Sequence, residues 1–136
     1  MIRSKHIMLM HRRGSLSVKA TGREIAYGFM AAGLPGLPVV NRDMEVIGIV
    51  TEFDLLGAIK EGMNVDEITA DRIMSKKPMT TGMETTAEQL IEMMLENNFT
   101  IIPVVKKKKL VGIVDRFSVM DAYFEPGFYR HLLEQR

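Results

Sequence analysis

Two stretches of this chain are near copies of each other. Residues 48–55 read GIVTEFDL and residues 112–119 read GIVDRFSV. Ahead of them, Pro38-Val39-Val40 returns as Pro103-Val104-Val105. The GIV blocks lie 64 residues apart and the PVV blocks 65, so one residue is lost between them. Over residues 37–40 and 47–59, eight of 17 aligned positions are identical: Pro38, Val39, Val40, Gly48, Ile49, Val50, Phe53 and Ala58. Ordinary residue frequencies give about one match by chance. A duplication on this scale within 136 residues restricts the fold to two small units of one design.

The pattern extends upstream. Thr21-x-x-Glu24 and Thr86-x-x-Gln89 both fit a helix capping box, in which the threonine bonds a free backbone N–H and the acid or amide returns the bond. Ile25, Ala26, Phe29 and Met30 follow the first box; Leu90, Ile91, Met94 and Leu95 follow the second, each set spaced as a buried helical stripe. Gly33 and Asn97-Asn98 supply left-handed stops. Apolar runs at Leu37–Val40 and Val46–Val50, and again at Ile101–Val105 and Leu110–Val114, flank short polar connections and predict two β-hairpins. The lost residue falls in the connection, NRDMEV against KKKKL. Thr51 and Asp115 are good N-cap residues for a second helix carrying Phe53, Leu55 and Leu56, or Phe117, Val119 and Met120.

With leading strands near Leu16–Val18 and Met79–Thr81, each unit becomes β-α-β-β-α. The expected fold class is α/β (α+β), two tandem repeats packed about a pseudo-twofold axis, since each small sheet buries a face only against helices. The boundaries are repeat 1 at 1–62, a connector at 63–78, repeat 2 at 79–124 and a short C-terminal helix at 125–136. A connector helix over Asp66–Met74 stops before Pro78, which favours extended backbone at Lys77. Beyond the breaker Pro126-Gly127, the side chains of Phe128, Leu132 and Leu133 suit a short amphipathic helix facing a second subunit.

Composition removes several function classes. There is no cysteine, hence no disulfide, thiol catalysis or thiolate metal site. Eighteen basic and 17 acidic residues leave a net charge of +1, which gives no reason to expect nucleic acid or an anionic membrane as the main partner. The N-terminal apolar patch, Ile7–Met10, falls short of the roughly 7–15 residues of a secretory signal, so a cytoplasmic protein is expected. His6, His11 and His131 lack metal-ligand spacing, and neither a Gly-rich phosphate loop nor a serine elbow is present. The twelve methionines suit an adaptable core or interface. These features point away from an enzyme.

The segments LPVVNRDMEVIGIVTEFDLLGAI at 37–59 and IPVVKKKKLVGIVDRFSVMDAY at 102–123, with the preface DRIMSKKPMTT at 71–81, resemble the cystathionine β-synthase (CBS) domain pair, or Bateman module. The resemblance runs from about His6 to Tyr123. It implies a regulatory module binding an adenosine compound (AMP, ADP, ATP or S-adenosylmethionine) in the cleft between the repeats, with no obligatory cofactor. It also implies a homodimer and a regulated target protein that this chain does not name.

Carried over residue by residue, the resemblance implies that Asp54 accepts hydrogen bonds from the ribose 2′ and 3′ hydroxyls and that Thr51 contacts sugar or phosphate. The chemistry is coherent: an ionised carboxylate is acceptor-only, and a helix N-terminus attracts phosphate. The plain alternative is that Thr51-x-x-Asp54 is a local cap. For the base pocket the resemblance implies Ile49, Met79, Thr80, Thr100, Ile101 and Pro103, of which Ile49, Ile101 and Pro103 equally suit core packing. Lys77 is a candidate phosphate contact, with Lys76, Arg12 and Arg13 as weaker ones, and the lysines at 106–109 read as a solvated turn. In the second copy Ser118 stands where Asp54 stands in the first, so one competent site is expected. The rival reading is a non-catalytic structural module that dimerises or docks on a partner without binding nucleotide.

Overall fold

The computed structural model describes residues 1–9 and 14–135. In chain order the elements are α1 (Ser4–Ile7), β1 (Leu16–Ser17), α2 (Gly22–Ala32), β2 (Gly36–Val40), β3 (Val46–Thr51), α3 (Glu52–Lys60) and α4 (Ala70–Ile73). There follow α5 (Ala87–Asn97), β4 (Ile101–Lys106), β5 (Lys109–Asp115), α6 (Arg116–Phe124) and α7 (Phe128–Glu134). They form two compact units. One comprises His11–Pro78; the other joins Met1–Met10 to Met79–Arg136.

In the His11–Pro78 unit, β1 lies parallel to β2, and β2 pairs antiparallel with β3. The other unit carries the antiparallel pair β4–β5. The hairpins share one register: Pro38 faces Ile49 and Val39 faces Gly48, as Pro103 faces Ile113 and Val104 faces Gly112. Both slip by a bulge at the same step, Val39/Val40 and Val104/Val105. The loops differ because of the lost residue. Lys107 and Lys108 both take positive φ, 51° and 70°, in a two-residue turn, whereas the longer loop is held by Asn41 Oδ1 accepting from the N–H groups of Asp43 and Glu45.

The helix signals are realised. Thr21 Oγ1 accepts from the Glu24 N–H at 3.2 Å while the Glu24 carboxylate accepts from the Thr21 N–H, and Thr86 with Gln89 repeats the exchange. Gly33 and Asn98 end α2 and α5 in left-handed conformation. Only part of each apolar stripe is buried: Ile25 and Leu90 are fully enclosed and Phe29 and Met94 nearly so, with Ala26 and Ile91 partly exposed. Each such side chain contributes about 1.5–3 kcal/mol by leaving water. Ile7, Met8, Leu90, Met94, Ile102, Val104, Val114 and Val119 form one continuous core.

Four expectations need correction. The second leading strand, Met79–Thr81, reduces to one bridge, with the Thr81 N–H on Pro103 O and the Val105 N–H on Thr81 O. The next rung would need an N–H at position 103 to reach Met79 O, and Pro103 has none. The connector helix is only Ala70–Ile73, because Thr69 is drawn into an extended bridge with Thr21. The Ala70 N–H bonds Ala20 O and the Gly22 N–H bonds Ile68 O, tertiary bonds that hold residues 68–69 out of the helix. Met30 and Leu95, expected within the buried stripes of α2 and α5, are 76% and 79% exposed instead, while α7 forms as expected and contacts α6.

The fourth concerns residues 1–9, grouped by sequence with repeat 1. Helix α1 bonds the second repeat's segment instead: the Ser4 N–H donates to Thr85 O and the Lys5 N–H to Met83 O. Leu9 then exchanges both backbone bonds with Ile113 on β5. Helix α4 does the same for the first repeat, Ser75 exchanging bonds with Ile49 on β3. Lys5-His6-Ile7-Met8 and Asp71-Arg72-Ile73-Met74 are thus two copies of one prefix, each laid across a hairpin.

Each prefix methionine covers a glycine. A Cβ built on Gly48 would lie 2.8 Å from Met74 Cγ and 2.9 Å from Ser75 O; one on Gly112 would lie 2.9 Å from Met8 Cγ. These two glycines in the repeated GIV blocks are the points where backbone and prefix approach closely.

Candidate functional site

Thr51 is extended, with φ −103° and ψ 165°, and caps α3. Its Oγ1 accepts from the Asp54 N–H at 3.3 Å, and Asp54 Oδ2 accepts from the Thr51 N–H at 2.8 Å. Both residues are partly exposed. The cap uses one carboxylate oxygen. Asp54 Oδ1 takes no hydrogen bond from any described residue. The capping role is therefore real, and it leaves an acceptor facing outward at the positive end of a helix.

The second copy is built from the same two groups in exchanged places. Asp115 is now the N-cap, and its Oδ1 accepts from the Ser118 N–H at 2.8 Å and the Ser118 hydroxyl at 2.9 Å. Its Oδ2 accepts from the Tyr129 hydroxyl, 2.7 Å away on α7. Asp115 and Ser118 are each 1% exposed. The second carboxylate is thus enclosed by its own chain, while the first is open. Sequence reasoning registered the loss of the acid at Ser118 but missed Tyr129, 14 residues beyond Asp115, which no local spacing could connect to it.

The other candidates divide between the units. Ile49 lies on β3, partly buried, bonded to Ser75, in the unit that holds Asp54. Met79, Thr80, Thr100, Ile101 and Pro103 belong to the other. Ile101 (3% exposed) and Pro103 are buried, and Met79, Thr80 and Thr100 are partly so. Lys76 and Lys77 are exposed, and Arg12, Arg13 and His11 lie outside the described residues. All four lysines at 106–109 are exposed around the β4–β5 turn.

Among the described residues the ion pairs are solvent-exposed. Lys5 Nζ sits 2.7 Å from Glu84 Oε1, Lys19 Nζ 2.7 Å from Asp71, and Arg23 Nε 2.9 Å from Asp66. Each cation's hydrogen bond, more than its charge alone, holds its partner carboxyl below the ordinary range. These solvated pairs contribute little to stability. Among the described residues no group of three or more acidic or histidine side chains could hold a metal, and no helix is long and apolar enough to cross a membrane.

Two α+β units of one design, each with a glycine-bearing hairpin under a methionine prefix and a second helix opened by a carboxylate–hydroxyl box, define a tandem-repeat module. The chain belongs to the CBS domain family, whose model matches residues 9–61 and again 67–125. Among curated relatives it is 34% identical over 102 residues to an uncharacterized protein of Methanopyrus kandleri, covering 74% of this chain and 52% of that one. With YlbB of Bacillus subtilis it shares 32% over 95 residues, 67% of this chain and 62% of the other. It therefore spans about half to three-fifths of these relatives' length.

Solved structures share the fold. A putative acetoin utilization protein, AcuB, of Vibrio cholerae superposes with a TM-score of 0.82 at 21% identity, covering 100% of this chain and 98% of that one. CBSX2 in complex with AMP gives 0.80 at 21%, covering 92% and 98%. The CBS domain pair of MJ0100, in complex with 5′-methylthioadenosine and S-adenosyl-L-methionine, gives 0.78 at 20%, covering 90% and 96%.

Proposed function

We propose that this chain is a non-catalytic regulatory module that binds one adenosine-containing ligand, AMP, ADP, ATP or S-adenosylmethionine, through Asp54. The carboxylate accepts the ribose 2′ and 3′ hydroxyls, and Thr51 contacts sugar or phosphate. The observation that carries this reading is the unengaged Oδ1 of a partly exposed Asp54 at the start of α3, set against an enclosed Asp115 in the second copy. That CBSX2 was crystallised with AMP and the MJ0100 pair with S-adenosyl-L-methionine supports the ligand class. Ile49, Met79, Thr80, Thr100, Ile101 and Pro103 enter the proposal as base contacts, and Lys77 as a phosphate contact. A second copy of the chain is the partner proposed for the exposed apolar face of α5 and α6, where Leu95 is 79% and Phe124 85% exposed. The regulated target is a further protein.

Calorimetry with AMP, ATP and S-adenosylmethionine tests the site. Asp54→Asn keeps an acceptor oxygen for the cap but removes the charge. A hydrogen bond to a charged group is worth about 1.5–3 kcal/mol, so affinity should fall by about 10- to 150-fold with the fold intact. Wild-type protein that binds none of the three, or an Asp54→Asn variant that binds as well as wild type, would favour a purely structural docking module.

A further inference from the structure

The C-terminal helix does something the duplication does not call for, because the first copy has no counterpart to it. Its Tyr129 hydroxyl donates to Asp115 Oδ2 at 2.7 Å, and its ring meets Phe117 edge-on at 5.5 Å between centroids. Asp121 on α6, 7% exposed, accepts from the Gly127 N–H at 2.8 Å and the Tyr129 N–H at 3.3 Å. Arg130 Nη2 donates to His6 O at 2.7 Å. The Tyr129 contacts to Asp115 and Phe117 fall on the first turn of α6, the place corresponding to the Thr51–Asp54 turn of α3, and the Asp121 and His6 bonds hold the segment from either side.

We propose that α7 is a releasable latch closing the second repeat's counterpart of the Asp54 site, with the Tyr129 hydroxyl standing where a ligand hydroxyl would donate. The inference rests on the Asp54 reading for the kind of ligand excluded, and on the contacts above for the latch itself. Closure accounts for the burial of Asp115 and Ser118 at 1% each, when Thr51 and Asp54 are partly exposed.

The latch is built to open. Seven residues are too few for a helix to persist on its own. Helix α7 has no buried residue, and Phe128 and Leu132 stay 49% and 46% exposed. It is held by a handful of hydrogen bonds, each a modest net gain, against the entropy of ordering the whole segment. Arg130 Nε is buried with no hydrogen-bond partner among the described residues, which weakens the closed state further. Opening frees Asp115 Oδ2 and leaves its Oδ1 bonds to Ser118, so the cap of α6 survives the change. A ligand that needs the open state sees its affinity reduced by the open fraction.

The experiment uses the full chain with substitutions on α7 alone, so that α6 is untouched: Tyr129→Phe, and the double variant Tyr129→Ala with Arg130→Met. Amide exchange in wild type should show α7 opening at least 100-fold more often than α6, and both variants should widen that gap. Calorimetry with AMP and S-adenosylmethionine should give one site per chain in wild type and two in the double variant. Adding Asp115→Asn to the double variant should remove the second site alone. In Tyr129→Phe the second site should bind at least tenfold more tightly than any trace of it in wild type. If both proteins bind one equivalent, the latch is overturned and the Asp54 reading stands. If wild type binds none and the double variant binds one that Asp115→Asn abolishes, the Asp54 reading fails and the latch stands. If neither binds, both fail, and exchange of α7 as slow as that of α6 overturns the latch outright.

Discussion

Adding one methyl group at Gly48 and at Gly112 separates two kinds of close approach that look alike in sequence. At Gly48 the new Cβ would meet Met74 Cγ at 2.8 Å and the Ser75 carbonyl oxygen at 2.9 Å, against ordinary contacts of about 3.4–4 Å. The methionine can swing aside. The carbonyl cannot, because it accepts from the Ile49 N–H at 3.2 Å while Ile49 O accepts from the Ser75 N–H at 2.9 Å. Relieving the clash stretches that pair of bonds. Overpacking costs about 1–3 kcal/mol and a weakened ladder bond about 1 more, so Gly48→Ala should lose about 2–4 kcal/mol, or about 10 °C in Tm. At Gly112 the neighbours are Sδ, Cγ and Cβ of Met8, at 2.8, 2.9 and 3.1 Å, with no backbone atom among the nearest three. Gly112→Ala should cost about 1–2 kcal/mol. Urea unfolding followed by circular dichroism gives both numbers. Double-mutant cycles then test the cause: Met8→Ala should recover about 1 kcal/mol of the Gly112→Ala loss, and Met74→Ala less of the Gly48→Ala loss because Ser75 O remains. A Gly48→Ala protein within about 0.5 kcal/mol of wild type, or equal relief in both cycles, would refute the reasoning.

Glu84 is held below its ordinary pKa of 4.5 chiefly by the hydrogen bond from Lys5. The folded value is depressed, so its small contribution to stability is complete above about pH 4.5 and fades as pH falls through the folded value; Lys5→Met should move the Glu84 midpoint in an NMR titration back up, and an unmoved midpoint would remove the pair from the account. Phe124→Glu or Leu95→Glu, on the exposed face of α5 and α6, should weaken self-association at least tenfold by sedimentation equilibrium, whereas a wild-type chain that stays monomeric at millimolar concentration would end the pairing proposal.

What the sequence made legible was local. The boxes at Thr21–Glu24, Thr86–Gln89 and Thr51–Asp54 close over three residues, and each was found as written. The hairpins followed from paired short apolar runs flanking a polar turn. What escaped was decided at a distance. Thr69 carries a helical pattern around it yet pairs with Thr21, so α4 starts later than the spacing suggests. The first prefix, at Lys5–Met8, resembles the second only at Ile and Met, too little to announce itself until both were seen lying across hairpins. Tyr129 had no signal, since a lone tyrosine in a short terminal helix does not disclose the carboxylate it will reach.

The exchange of groups between the copies separates what the fold demands from what a ligand would demand. A helix start is served by one carboxylate and one hydroxyl three residues apart in either order, and both orders occur: Thr51 with Asp54, Asp115 with Ser118. Stability therefore gives no reason to prefer one over the other. Accessibility is not indifferent to the order. A carboxylate at the third helical position, as in Asp54, spends one oxygen on its own N-cap amide and keeps the other unengaged. Moved to the N-cap, as in Asp115, it spends one oxygen on Ser118 and turns the other toward the C-terminal helix, where Tyr129 takes it. The order of groups that keeps the cap at Asp115 also presents the Oδ2 that Tyr129 holds, so the enclosure of the second carboxylate and the anchoring of α7 come from the same arrangement.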